Sequence, residues 1–177
     1  MHKKIVFFDG DGTLWYPTAT KRAEKPWWIY YDEATKDNYL DHLSLTPSTV
    51  STLTAMRERG IRTALLSTHP HEAQEASRVL QGKIEHFNLT ELFDEVHATA
   101  EHSDAKGVKI LEVLRMQGLE KEDALMVGDS YRWDYLSAVD SGVEAVLVDS
   151  DHHQNHLGDE PATACIQELY ELLALIE

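Results

Sequence analysis

The sequence predicts an α/β fold: an open sandwich of three layers, with helices on both faces of a central parallel sheet. Three observations predict it. Short, nearly all-apolar runs alternate with amphipathic stretches about five times, the pattern of strands buried on both faces. Several helical stretches stop at a glycine, namely Gly60, Gly118 and Gly142. Asp9, Ser67, Asp129 and Asp149 stand at or just beyond the C-terminal ends of predicted strands. In such a sheet they converge on the edge where ligands sit.

Residues 4 to 8 are β-branched or aromatic and run directly into Asp9-Gly10-Asp11-Gly12, a strand ending in a tight polar loop. A helix is predicted over 48–59, with Val50, Leu53 and Met56 three apart. Ile61–Leu66 is the second strand, His71–Leu80 the next helix, and Glu95–Ala98 a short strand. Lys106–Met116 follows as a helix with Val108, Leu111, Val113 and Leu114 as its apolar positions. Ala124–Val127 is a strand entering Gly128-Asp129-Ser130, Trp133–Ser141 a helix, and Val143–Val148 a last strand.

Two segments lie outside this repeat. Residues 15–46 form an insertion longer than the usual α/β loop and too short for a lid with its own core. It carries Trp27, Trp28, Tyr30, Tyr31 and Tyr39, with three open roles: lining the mouth of the site, facing a second subunit, or packing on the domain. The tail carries His152, His153 and His156, then a helix predicted over about 163–175 that covers the sheet. With 177 residues the chain fits one domain, 1–177.

Charge narrows the partners. Lys and Arg total 16 against 31 Asp and Glu, a formal charge of -15, which repels nucleic acid and anionic lipid at long range. A small phosphorylated ligand is still compatible, because a divalent cation reverses the field inside one pocket. A single cysteine, Cys165, excludes an internal disulfide and a thiolate zinc cluster, and reads as a small hydrophobe. Met1-His2-Lys3-Lys4 leads straight to the first strand without a signal peptide or membrane span, so a cytoplasmic address is expected.

Asp9 and Asp11 are two residues apart, and acids this close are costly unless a cation or proton separates their charges. The glycines between and after them let backbone N–H groups approach an oxyanion. A solvated Asp-Gly turn is the plain alternative. A calcium loop is excluded: its twelfth position is Thr20 rather than glutamate, and no helix precedes it. Asp129 and Asp134 stand where a turn entering a helix brings both toward one hard cation such as Mg²⁺, or where Asp129 or Ser130 simply caps that helix. Ser67 and Thr68 offer hydroxyls for a phosphoryl oxygen or a helix cap. Lys106 sits in a helix's first turn, where the dipole disfavours a cation, and invites pairing with Asp9 and phosphate. Lys109, one turn along, competes for that task.

Taken together, Asp9-Gly10-Asp11-Gly12-Thr13-Leu14, Ser67, Lys106 and Gly128-Asp129 with Asp134 resemble the four motifs of the haloacid dehalogenase-like hydrolase superfamily, over about residues 3 to 149. The resemblance implies a Rossmann-like core. It implies Asp9 as a nucleophile forming an aspartyl-phosphate and Asp11 as the acid/base. Gly12, Ser67, Thr68 and Lys106 would bind phosphate. Mg²⁺ would be held by Asp9, Asp129 and the Asp11 backbone carbonyl, with Asp134 positioning a metal-bound water or Lys106. Dehalogenases of the superfamily lack the second acid and its transport ATPases carry Thr there, so Asp11 favours phosphate-ester hydrolysis. Neither 15–46 nor 68–105 is large enough for the usual cap, which implies an open site.

The likeness is closest to the magnesium-dependent phosphatase branch, from which the chain departs in having Thr68 in place of the common Arg and Lys109 in place of His. The implied substrates are a sugar phosphate, another small phosphorylated metabolite or a phosphotyrosine peptide. A nucleic-acid end phosphatase and a non-catalytic phosphate- or partner-binding domain are the alternatives, and monomer and homodimer are both open. A receiver-like signalling domain is disfavoured, since Thr99-Ala100-Glu101 stands where its phospho-acceptor belongs.

Overall fold

The computed structural model describes residues 2–68, 73–99, 105–151, 162 and 164–176. Its main sheet holds six strands: β1 (Ile5–Phe8), β4 (Arg62–Thr68), β5 (Glu95–Thr99), β6 (Ala124–Gly128), β7 (Glu144–Val148) and β8 (Cys165–Ile166). Their order is β5-β4-β1-β6-β7-β8, and every pairing is parallel. β1 is therefore central, with Phe8 registered against Leu65 on one side and Val127 on the other. The strand end that carries Asp9 lies between the strand ends that carry Ser67 and Asp129.

The alternation of side chains along each strand divides the core into two layers. Val6 and Phe8, with Leu65, Leu125 and Val127, pack beneath α1 (Thr49–Glu58), α2 (Ala73–His86) and the tail residues Leu169, Leu172 and Ile176. Ile5 and Phe7, with Ala64, Leu66 and Met126, pack beneath α3 (Ala105–Gln117) and α4 (Ser137–Asp140). The three-layer sandwich with a parallel sheet and no large cap domain is the predicted architecture.

Several boundaries and faces differ from the sequence expectation. α1 buries Thr49, Thr52, Leu53 and Met56 and leaves Val50 exposed. Thr49 faces inward because its Oγ1 donates to the Leu14 carbonyl and Thr46 links the same turn, whereas the buried Thr52 Oγ1 has no hydrogen-bond partner among the described residues. α2 runs on past Leu80 to His86. α3 buries Lys106, Gly107, Ile110, Val113 and Leu114, while Val108 faces out. The helix expected over 133–141 is a π-helical turn, Tyr131–Leu136, that passes directly into α4.

The tail is not one helix. Ile166 and Cys165 pair with β7 as the outermost strand, and a 3-10 turn (Leu169–Glu171) precedes the short helix α5 (Leu172–Leu175). The open edge of β7 supplies backbone partners that a surface helix would leave unused. The insertion 15–46 begins and ends in a small antiparallel pair, β2 (Trp15–Pro17) with β3 (Leu43–Leu45), and holds 3-10 turns at Pro26–Tyr30 and Tyr39–His42. His69, Pro70, His71, Ala100, Glu101, His152, His153, His156 and Thr163 lie outside the described residues.

Candidate active site

At the C-terminal edge of the sheet, Asp9, Asp129 and Asp134 come together with carboxylate oxygens within 4.8 Å of one another, all three buried. Asp9 follows β1 and Asp129 follows β6, so adjacent parallel strands deliver both. Asp134 arrives from the first π-helical turn. Ser130 caps that turn, its Oγ accepting from the Trp133 N–H at 3.2 Å, and its own N–H donates to Asp134 Oδ2 at 2.9 Å. The capping role thus falls to Ser130, while the Asp129 carboxylate turns into the cluster.

Two glycines permit the close approach. Gly12 adopts φ +90°, and a Cβ on it would collide with the Asp129 carboxylate. A Cβ on Gly128 would collide with Asp134. Thr13 Oγ1 lies 3.5 Å from Asp129 Oδ1, a long contact from the same loop.

Lys106 lies among these acids. Its Nζ donates to Asp9 Oδ1 at 2.5 Å and also to Asp134 Oδ1. Gly107 allows this placement by letting α3 press onto Ser137, whose Oγ accepts from the Gly107 N–H at 2.9 Å. Lys109, the competing lysine, pairs instead with Glu112 at 2.7 Å on the helix surface. Ser67 Oγ donates to Asp9 Oδ1 at 3.2 Å. Thr68 Oγ1 is turned toward Thr99 at 3.1 Å. Asp149 stays apart: its Oδ2 accepts from Gln167 Nε2 at 2.6 Å.

Burial pushes the Asp9 carboxyl up to about 7, with Lys106 pulling the other way and Asp134 and Asp11 adding to the rise. Asp134 is likewise raised by burial against the pull of Lys106, with Asp129 adding to the rise. Burial works against the charge on Lys106, but Asp134 and Asp9 outweigh it and hold its proton more firmly than in an ordinary lysine. Three carboxylates with a single lysine between them carry surplus negative charge. All their donors are hard oxygens, which fits a divalent cation such as Mg²⁺.

Asp11 points elsewhere. Its Oδ1 accepts from Trp15 Nε1 at 2.6 Å, from Lys83 Nζ at 3.0 Å and from the Tyr30 hydroxyl at 2.9 Å, with Oδ2 at 2.8 Å from the same hydroxyl. Burial raises its pKa, but the charge and hydrogen bond of Lys83, followed by the bonds from Tyr30 and Trp15, more than offset this and leave the carboxyl below its usual value. Burial first, and then the charge of Asp11, hold the Tyr30 hydroxyl well above its ordinary range.

Sequence reasoning did not single out Lys83. A lysine at a core position of α2 looks like the end of an apolar face, and it lies beyond Leu80, where the predicted helix ends. The missed signal was the spacing of Ala76, Leu80, Lys83 and Ile84, all buried. The aromatic run divides. Tyr30 reaches the site, Trp28 packs against the core, and Tyr31 faces solvent. The acids are not open to solvent as a capless core had implied: Asp9 is 7 % and Asp11 8 % exposed. Besides Tyr30, the insertion contributes Arg22, whose side chain reaches the Gly12 and Gln167 carbonyls.

A model of the family described as haloacid dehalogenase-like hydrolase matches residues 8–148. Phosphoglycolate phosphatase 1 of Pseudomonas aeruginosa is 31% identical over 141 residues, covering 76% of this chain and 49% of that protein. Glyceraldehyde 3-phosphate phosphatase of Methanothermobacter thermautotrophicus is 30% identical over 136 residues, covering 72% of this chain and 58% of that protein. The chain spans about half the length of these curated relatives. Solved structures share the fold across nearly the whole chain. An HAD phosphatase from Thermococcus onnurineus aligns with TM-score 0.65 at 21% identity, over 99% of this chain and 97% of that one. A haloacid dehalogenase-like hydrolase from Streptococcus pneumoniae aligns with TM-score 0.71 at 16% identity, over 98% of each chain.

Proposed function

The chain belongs to the haloacid dehalogenase-like hydrolase family, and from that premise we propose that it is a magnesium-dependent phosphomonoester hydrolase acting on a small phosphorylated metabolite. The observation that carries this reading is the meeting of Asp9, Ser67 and Lys106 with Asp129 and Asp134 at one sheet edge.

In the proposed first step a carboxylate oxygen of Asp9 attacks phosphorus, forming an aspartyl-phosphate as the bond to the leaving oxygen breaks. Ser67 and Lys106 both hold Asp9 by Oδ1, which fixes the carboxylate for attack. As the phosphoryl group arrives, the same two donors hold its oxygens; the Gly12 N–H expected to join them is taken by the Trp15 carbonyl at 2.8 Å. Asp11 gives a proton to the leaving oxygen, which requires it to carry that proton as substrate binds, against the pull of Lys83. In the second step it takes one from water, which attacks phosphorus and returns the electron pair to Asp9. The carboxylate form in which Lys83 holds Asp11 is the form the second step needs.

Asp9, Asp129 and the Asp11 backbone carbonyl would hold Mg²⁺, and Asp134 would orient its water or Lys106. Bound there, the ion supplies positive charge against the phosphoryl oxygens.

A small substrate is favoured over a phosphotyrosine peptide because the insertion lies against the acids and Tyr30 caps Asp11. The formal charge of -15 weighs against nucleic acid. The curated relatives are named for phosphoglycolate, glyceraldehyde 3-phosphate and ribulose-1,5-bisphosphate, which agrees with this class. The test is a panel of phosphorylated metabolites and phosphotyrosine peptides with Mg²⁺, ranked by kcat/KM. The expected leader is a small sugar or acid phosphate, with turnover abolished by chelation and by Asp9→Asn. Turnover that survives both treatments would overturn the mechanism, and a peptide at the head of the ranking would overturn the substrate class.

A further inference from the structure

Lys83 lies outside every motif of the family set, yet its side chain is 1 % exposed and ends at the second acid of the site. It stands on α2 among Ala76, Leu80 and Ile84, where an aliphatic side chain would pack without electrostatic cost. A buried ammonium costs several kcal/mol unless it is well paired. Its ion-pair partner among the described residues is Asp11, at 3.0 Å. It also donates to the Tyr30 hydroxyl at 2.6 Å, and that hydroxyl in turn donates to both Asp11 oxygens. The ammonium lies over the faces of Tyr30 and Trp15, with centroids at 4.7 and 5.6 Å.

The loop therefore gives each of two neighbouring carboxylates its own lysine. Lys106 comes from the α3 face of the sheet and holds Asp9, and Lys83 comes from the α2 face and holds Asp11. Like charges two residues apart repel. Lysines on opposite faces draw them apart and give each a separate orientation.

We propose that Lys83 is the positioning residue for the Asp11 carboxylate, acting directly and through the Tyr30 hydroxyl, and that it governs hydrolysis of the phosphoenzyme more than its formation. The proposal rests on the reading of Asp9 as nucleophile and Asp11 as acid/base. In the governed step the water oxygen bonds to phosphorus, the bond from phosphorus to Asp9 breaks with its electron pair returning to the carboxylate, and Asp11 accepts the proton from water. A p-nitrophenyl leaving group departs with little need of a proton, so with that substrate the first step stays fast when Asp11 is misplaced.

The test is rapid mixing of p-nitrophenyl phosphate and Mg²⁺ with the full chain and with Lys83→Met, which keeps the length of the side chain and removes its charge. The variant is expected to release a burst of nitrophenolate approaching one equivalent, then to turn over at least about 10-fold more slowly than wild type. A purely structural role would lower both phases together, and that result overturns the proposal, as does wild-type turnover without a burst. Should thermal melting show Lys83→Met to be unfolded, Tyr30→Phe decides: it removes the bridging hydroxyl without burying a charge. A smaller burst of the same kind supports the proposal, and no burst overturns it. A wild-type chain that releases no nitrophenolate overturns the phosphatase reading itself, whereas an active wild type with unaltered variants overturns only the role of Lys83.

Discussion

Lys106 Nζ lies 2.5 Å from Asp9 Oδ1, and both side chains are closed off from solvent. Because the same ammonium also serves Asp134, its removal strands two buried carboxylates at once. Lys106→Met is expected to lower folding stability by about 3–5 kcal/mol at neutral pH, the cost of breaking a buried pair from one side. The loss of a donor to the phosphoryl oxygens is expected to lower kcat/KM by at least about 100-fold. Urea unfolding checks the first number and steady-state kinetics the second.

Asp9 gives the metal-free protein a specific pH dependence. A carboxyl whose pKa is higher folded than unfolded favours folding while it is protonated. That contribution is complete below about pH 3.8 and is lost as the pH rises through about 7. Asp134 is raised as well and reinforces the trend. Asp11 is lowered, so its contribution is present above its unfolded value and is lost only on acidification below that, outside the neutral window. In chelator, the melting temperature is expected to fall by about 5 °C between pH 5.5 and 8. Asp9→Asn should flatten that slope and Mg²⁺ should reverse it at pH 8, both read from thermal melts.

Gly12 sets the distance between the first loop and Asp129. At φ +90° an alanine is strained, and its Cβ would push the Asp129 carboxylate out of the acid cluster. Gly12→Ala is expected to cost about 1–3 kcal/mol of stability and to weaken Mg²⁺ binding by at least about 10-fold. Calorimetric titration with Mg²⁺, paired with a thermal melt, separates the two effects.

Tyr30 and Trp28 share one 3-10 turn but make different contacts. Tyr30→Ala should open the side of the site next to Asp11. The expected result is a rise in the ratio of kcat/KM for a phosphotyrosine peptide to that for a small sugar phosphate, even as both values fall. Trp28→Ala removes a side chain packed against the core and is expected to lower the melting temperature without moving that ratio. Parallel kinetics and melting on the two variants check this.

The strand ends were legible because their physics is local. An apolar run such as Ile5-Val6-Phe7-Phe8 stops abruptly at an acid, and parallel pairing then carries such ends to one edge. Lys106 was legible as an anomaly, a cation where a helix dipole disfavours one. Lys83 was not, because a lysine on a buried helix face looks like the end of that face until its partner, 72 positions away, is in view. The tail was misread, and the strand pair inside the insertion went unseen, for a related reason. β2 and β3 are three residues each and β8 is two, too short for a periodic signal, and their pairing depends on neighbours remote in sequence. The burial of Thr49 in α1 was hidden because its inward hydrogen bond reaches another segment, at the Leu14 carbonyl.

The β2–β3 pair brings Pro17 opposite Leu43 and Trp15 opposite Leu45, and Thr18 N–H donates to the His42 carbonyl at 2.8 Å. Everything between those residues leaves and returns at one point. A segment mounted on a closed stem can be shortened, lengthened or exchanged for a folded module without pulling on the strands below it, since the cost of closing the loop grows only slowly with length. Residues 18–42 thus form a graft site, where an exchange also has to replace Arg22 at the Gly12 and Gln167 carbonyls and Ile29 in the core. The Tyr30 hydroxyl is where such an exchange would still be felt by Asp11.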